Sequence, residues 1–300
     1  RVRSSAASDV YKRQDGIIAG IGSFQGKEER DLGGKYVCPG FIDSHLHLES
    51  TLVTPAELVT VASRHGTTTF IVDPHESANV SGLAGIDYIL EQTEDVKANV
   101  YVMMPSCVPA TGIDDNGCTL TAQDMAPYLN NSRILGLGEV MDSISVVQGD
   151  KGMHDKLELF EGRIRDGHAP FLEEGDLQAY AMAGIATDHE CSFFDYAMRE
   201  RRNGLTILIR EGSAARNLEA LVGGLVQRKM NGEGFCFCTD DKHIEDIQQE
   251  GHIDHNVRKA IRLGMNPVSA IKMATINAAN CYGLKDKGAI APGRQADLLV

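Results

Sequence analysis

No apolar run in this sequence approaches the roughly 20 residues needed to span a bilayer. The N-terminal residues are basic but lack the apolar core of a secretory signal. A membrane partner is therefore not expected, and a cytoplasmic location is. Positive charge is scarce: 29 Lys and Arg against 42 Asp and Glu leave a net charge of −13. Such a field repels phosphate backbones and anionic lipid, which argues against nucleic acid and favours a small neutral or cationic substrate. The 7 cysteines are odd in number and contain no Cys-x-x-Cys. The nearest pair, Cys236 and Cys238, sits in an apolar run, so the cysteines read as reduced core thiols rather than as a disulfide framework.

What the chain does have is His45 and His47, closing the run Val37-Cys-Pro-Gly-Phe-Ile-Asp-Ser-His-Leu-His-Leu-Glu49. A strand points alternate side chains to one face, so the two imidazoles converge on a single ion while Leu46 faces away. An exposed strand could carry such a pair by chance, and its surroundings decide the matter.

From residue 37 onward, short β-rich runs alternate with longer helical stretches, the pattern of a parallel sheet covered by helices. Eight strand candidates end near His47, His75, Cys107, Met141, Pro170, Glu190, Glu211 and Asp241, the fifth being the weakest. Helices are predicted over 54–64, 83–96, 121–130, 173–183, 191–202, 214–230, 252–263 and 267–281. Three hundred residues suit one eight-fold α/β barrel, a TIM-like (β/α)8 fold over 37–285. Residues 1–14 have no clear period and read as a foreign or disordered leader. Segments 15–36 and 286–300 are expected to pair as part of a small β lobe built from both chain ends, and the sequence stops inside an apolar run, as a truncated chain would. An open doubly wound sheet is the rival architecture, but it gives no reason for metal-type residues to recur at strand after strand.

Those residues are His45 and His47, then Asp73, His75 and Glu76, then Glu139, His168, Asp188 with His189 and Glu190, and finally Asp240 and Asp241. A barrel gathers the C-terminal ends of all its strands into one mouth. Four imidazoles, one glutamate and one aspartate suit two divalent ions in the range from manganese and iron to zinc. His65, His154, His243, His252 and His255 are left over and are not read as ligands.

The strings Pro39-Gly-Phe-Ile-Asp-Ser-His-Leu-His-Leu-Glu-Ser50, Val72-Asp-Pro-His-Glu76, Gly138-Glu-Val-Met141, Asp166-Gly-His-Ala-Pro170, Thr187-Asp-His-Glu190, Ile209-Arg-Glu-Gly-Ser-Ala-Ala215 and Cys238-Thr-Asp-Asp241 resemble the metal-dependent amidohydrolase superfamily and, within it, the microbial adenine deaminases. The resemblance covers residues 15–300. It implies His45, His47 and Asp240 on one metal and His168 and His189 on the other, with Glu139 bridging where many relatives use a modified lysine. Mn2+ or Fe2+ is implied ahead of Zn2+. It further implies hydrolysis of adenine to hypoxanthine and ammonia in purine salvage, with water as second substrate, a metal-activated hydroxide as nucleophile and Asp240 moving the proton. Glu190, Glu76 and His75 remain unranked for protonating the ring or holding the base edge. Asp73, Arg210, Glu211, Ser213 and Asp241 join His75 as candidate pocket residues, with an Arg210–Glu211 ion pair as the alternative for those two. Assembly is left open, a homodimer included.

Two departures stand out. Family members usually run far past residue 300 into a second large domain, and Ile244 stands where the loop often carries proline. Three rivals are weighed: another amidohydrolase reaction, such as opening a cyclic amide or removing an N-acyl group; the zinc nucleobase deaminases, which need the absent Cys-x-x-Cys; and an inactive barrel serving as a scaffold.

Overall fold

The computed structural model describes residues 11–14 and 16–300. Eight parallel strands follow one another with helices between them: β1 (Phe41–Leu46), β2 (Thr67–Val72), β3 (Asn99–Met104), β4 (Ile134–Val140), β5 (Ile164–Gly167), β6 (Thr187–Asp188), β7 (Thr206–Arg210) and β8 (Phe235–Cys238). The first five form one sheet in chain order and the last three another. The sheets meet at both margins. Asp240 N donates to His45 O at 2.9 Å, and Ala186 N donates to Arg165 O at 2.9 Å.

Side-chain alternation sorts the core. In β8, Phe235 and Phe237 pack outward against Leu218, Leu221 and Val257, while Cys236 and Cys238 point inward to meet Ile42, Ile71, Met103 and Leu208. In β2, Phe70 and Val72 lie under Leu58, Ala62 and Ile86, and Ile71 between them joins the inner cluster. This period of 2 places inner-face residues at the strand ends on one common side. Gly66 and Gly204, at φ 88° and 95°, make the left-handed turns that lead from the helices Pro55–Arg64 and Phe194–Arg202 into β2 and β7.

Two irregularities re-aim functional positions. Ile42 points inward, yet His45 does too, an odd spacing, and the β1–β2 register shifts between Asp43 and Leu46. In β4, Leu137 and Val140 both face the outer core, and the β4–β5 register shifts between them. Each shift turns an inward position toward the strand end, as bulges do.

The predicted strands are present, the fifth included, as are the predicted helices, with shorter bounds, except that 121–130 forms a single α-turn, Ala122–Met125, followed by a 3-10 helix, Ala126–Asn130. Four further helices, His75–Ser81, Ser143–Gln148, Lys151–Leu159 and Ile244–Glu250, were not anticipated. Asp142 and Asp150 cap the middle two, accepting from Ser145 N at 2.9 Å and Met153 N at 3.0 Å. The helix predicted over 267–281 is broken at Ala274–Thr275, where Ile42 N takes the Ala274 carbonyl at 2.8 Å. At the chain ends, Ile18 N donates to Arg294 O at 2.8 Å, but Leu298–Leu299 pairs with Cys38–Pro39 rather than with 15–36. Of the expected leader, residues 1–10 lie outside the described residues, and Tyr11–Gln14 pairs with Ile17–Ile21. The cysteines are free thiols. Among the described residues, no helix is long and apolar enough to cross a membrane.

Phe70 is fully buried beneath the helices over the first sheet. Phe70→Ala should therefore lower unfolding free energy by about 3–5 kcal/mol, read from denaturant midpoints; a loss below about 1 kcal/mol would contradict this packing.

Candidate metal centre

The strand ends bring His45, His47, Glu139, His168, His189 and Asp240 together around the Glu139 carboxylate. Glu139 Oε1 lies 3.9 Å from His45 Nε2, 3.4 Å from His47 Nε2 and 3.2 Å from His75 Nδ1. Its Oε2 lies 2.7 Å from His168 Nδ1 and 3.2 Å from His189 Nε2. Asp240 Oδ1 stands 3.1 Å from His47 Nε2 and 3.7 Å from His45 Nε2. Asp240 itself holds a left-handed backbone, φ 60°, which aims its carboxylate back into the cluster.

The donor set fits divalent cations. His45 Nε2, His75 Nδ1 and Asp73 Oδ1 are buried without a hydrogen-bond partner, and such orphans are rare unless something else satisfies them. Four donor groups of the cluster have ligand atoms within 4.8 Å of one another: His45 with His47 and Asp240, His45 with Glu139 and His189, His47 with His75 and Glu139, and His168 with His189 and Glu190. The gaps of 3.4–3.9 Å that separate His45 from Glu139 and Asp240, and His47 from Glu139, are long for hydrogen bonds but short enough for an ion about 2.1 Å from each atom to span.

Carboxylates behind the cluster hold its backbone. His47 Nδ1 donates to Asp73 O at 2.7 Å, leaving Nε2 as the free acceptor. Asp73 Oδ2 accepts from Glu139 N at 2.8 Å, and Ser106 Oγ donates to Glu139 O at 2.5 Å. A side chain at Gly138 would collide with that Asp73 carboxylate, so the glycine before Glu139 is a requirement of close approach. Asp43 accepts from His45 N at 3.3 Å and Thr239 N at 3.1 Å, joining β1 to the loop that carries Asp240. His252 stands behind it, 3.2 Å from Asp43 Oδ2 and 2.8 Å from Thr67 Oγ1.

Electrostatics follow from this crowding. Burial, then the neighbouring His189 and His47 rings, hold His45 well below its ordinary pKa. Burial and the His47 ring likewise push His75 down to about 4. Burial alone would raise Glu139, but His189 and His168 outweigh it and keep the carboxylate far below its ordinary value. Asp240 is lowered in the same way against its burial, chiefly by His47. Glu139 and Asp240 thus stay anionic beside unprotonated His45, but against burial the same carboxylates raise His47, and raise His189 to about 9, so these two rings must shed a proton to ligate a cation.

The pocket candidates fall in different places. Arg210 and Glu211 do not pair with each other: as neighbours at a strand end they face opposite ways. Arg210 donates to Asp240 Oδ2 at 2.9 Å and to both oxygens of Glu190, whereas Glu211 takes Lys259 Nζ at 2.8 Å. Ser213 Oγ donates to Asp246 and accepts from His243 N at 2.9 Å, while its amide donates to Asp241 O at 2.7 Å. Asp73 is buried and supports Glu139 from behind. His75 joins the donors, in a group with His47 and Glu139. Glu76 is exposed at the start of a helix, its pKa raised by burial and by Glu49. Asp241 has one buried oxygen without a partner. Asp43, Ser106 and His252 were missed as supports; the only sequence signal was Asp43, two residues before His45.

Gly138→Ala should displace the Asp73–Glu139 contact and weaken divalent-ion affinity about 10-fold or more with the far-ultraviolet circular dichroism spectrum retained. Unchanged affinity in a chelator competition would contradict the close approach.

The chain matches the Amidohydrolase family over residues 36–300. It is 59% identical over 286 residues to an adenine deaminase of Desulfitobacterium hafniense, covering 95% of this chain and 50% of that protein. A second adenine deaminase, from Geobacillus kaustophilus, is 46% identical over 287 residues, 95% of this chain and 49% of that protein. The chain thus spans about half the length of the curated relatives it matches. Among solved structures, an adenine deaminase superposes with TM-score 0.70 at 17% identity, covering 96% of this chain and 84% of that one. A dihydroorotase superposes with TM-score 0.65 at 15% identity, covering 100% and 86%; at these identities the likeness is one of fold. Matched over nearly all its described length and carrying the His, Glu and Asp donors at its strand ends, the chain belongs to the amidohydrolase family.

Proposed function

We propose that this protein hydrolyses adenine to hypoxanthine and ammonia at a centre of two divalent ions, Mn2+ or Fe2+, at the mouth of an eight-stranded (β/α)8 barrel. The barrel reading is supported by the shared inner cluster of β1–β3 with β7 and β8, and a small β lobe from the chain ends by the pairing of Ile18 with Arg294. The substrate reading is supported by the 59% identity to an adenine deaminase. The observation that carries the metal reading is one buried carboxylate, Glu139, with imidazole nitrogens of His45, His47, His75, His168 and His189 all within 3.9 Å.

His45, His47 and Asp240 would hold one ion, His168 and His189 the other, and Glu139 both. Divalent ions in such a shell supply the Lewis acidity that makes water nucleophilic near neutral pH. The surrounding residues do the proton work. Asp240, oriented by Arg210 at Oδ2 and with Oδ1 beside His45 and His47, would take a proton from the attacking water and pass it toward the departing amine, which leaves only as ammonia. Glu190 is occupied as an acceptor from Arg210 and sits beside His168 and His189, which suits it to orient Arg210 and the base edge rather than to donate. Glu76, with its raised pKa, is the group assigned to protonation of the ring nitrogen, while His75, held unprotonated by its lowered pKa, is assigned to the base edge.

Purified protein supplied with Mn2+ or Fe2+ should release ammonia from adenine and form hypoxanthine, and leave a dihydropyrimidine untouched; the reverse preference would favour cyclic-amide hydrolysis. Glu139→Gln should hold fewer than two ions per chain and lose at least about 100-fold in turnover, because an amide bridges cations poorly. Normal turnover in that variant would overturn the bridging role.

A further inference from the structure

Beneath the centre lies a second acidic cluster that the proposed reaction does not use. Asp188, Cys191 and Glu200 are fully buried, with ligand atoms within 4.8 Å of one another. Both oxygens of Glu200, on the helix Phe194–Arg202, lack any conventional donor. Each Asp188 oxygen holds a backbone amide, Oδ1 accepting from Ala169 N at 2.6 Å and Oδ2 from Cys191 N at 2.9 Å, and keeps a lone pair for a further donor. Ala169 follows His168, and Cys191 lies two residues past His189, so this one carboxylate clamps both chain segments that carry the second group of imidazoles.

We propose that Glu200 is a positioning residue for the metal centre: it keeps its carboxyl proton, donates it in a hydrogen bond to Asp188, and through Asp188 fixes the backbone on which His168 and His189 stand. Two buried carboxyl groups this close do not both ionise. The proton resides on Glu200, which burial and then Asp188 push up to about 10. The titratable groups that face it are Asp188 and Cys191 across the helix and Tyr196 and Arg199 on its own helix. The other elements against that helix present apolar Ile207, Ile209, Leu221 and Leu225. A metal ion is the poorer occupant, because burial and Asp188 also push the Cys191 thiol up, and a ligating cysteine must lose its proton.

A carboxyl whose pKa is raised on folding, here from 4.5 to about 10, leaves the native state binding more protons than the unfolded chain between those values. Its stabilising contribution is therefore complete at low pH and declines as pH rises through that window. Glu200→Gln keeps a donor to Asp188 and has nothing to titrate; Glu200→Leu removes the donor.

The test compares wild type with both variants, by melting temperature of metal-free protein from about pH 7 to about pH 9, and by Mn2+ affinity in chelator competition. Glu200→Gln should bind Mn2+ within about 2-fold of wild type and lose less melting temperature toward alkaline pH, while Glu200→Leu should lose about 10-fold or more in Mn2+ affinity. A Gln-to-wild-type gap that does not change with pH, Mn2+ affinity in Glu200→Leu equal to wild type, or a further ion lost on Glu200→Gln would each overturn the proposal. Should Glu200→Leu fail to fold, the Gln comparison still decides. The affinity measurement rests on the two-ion reading, whereas the melting series does not. A wild type that binds no Mn2+ would therefore defeat that reading, leaving the pH series to decide whether the proton is there.

Discussion

The convergence of imidazoles on the Glu139 carboxylate is the constraint on which the rest of the molecule depends. An unpaired charge buried this deeply would be strongly destabilising, and His45 leaves Nε2 with no hydrogen-bond partner in the same space. The arrangement suits a receptacle: anionic Glu139 and Asp240 raise His47 and His189 toward their protonated forms, and a cation could take the place of those protons. Cations in that space would offset both the buried charge and the orphaned lone pairs at once.

Building the receptacle requires neighbouring strand ends to agree in height and direction, and the chain achieves this with three buried aspartates. Asp43 accepts the amides of His45 and Thr239, Asp73 the amide of Glu139, and Asp188 those of Ala169 and Cys191. Each ties a ligand-bearing segment to another part of the chain through backbone rather than through the ligand side chain. The imidazoles are thereby left free, and their orientation is set by the frame. The register shifts at Asp43–Leu46 and Leu137–Val140 complete the aim.

How much of this was legible in the sequence depended on the kind of interaction. The eight strands and the inward pair His45 and His47 follow from alternation and local pattern, because a parallel strand buried on both faces is a short apolar run wherever it occurs. The roles of Asp73 and Asp43 were not legible, since a side chain that supports a distant backbone amide leaves no local spacing. For Arg210 and Glu211 two readings stood side by side, and the pair that adjacency suggests does not form because strand geometry sends them to Asp240 and Lys259. The helices after Asp142 and Asp150 were hidden because neither shows a long apolar stripe, and their caps carry the signal. The resemblance of the strand-end strings, more than any spacing, pointed to the family.

Anomalous scattering from crystals of Mn2+-loaded protein tests the central claim most directly. Two peaks about 3.5–4 Å apart, one beside His45, His47 and Asp240 and the other beside His168 and His189, with Glu139 between them, are the predicted result. Peaks located elsewhere, or none at these side chains under saturating Mn2+, would contradict the account.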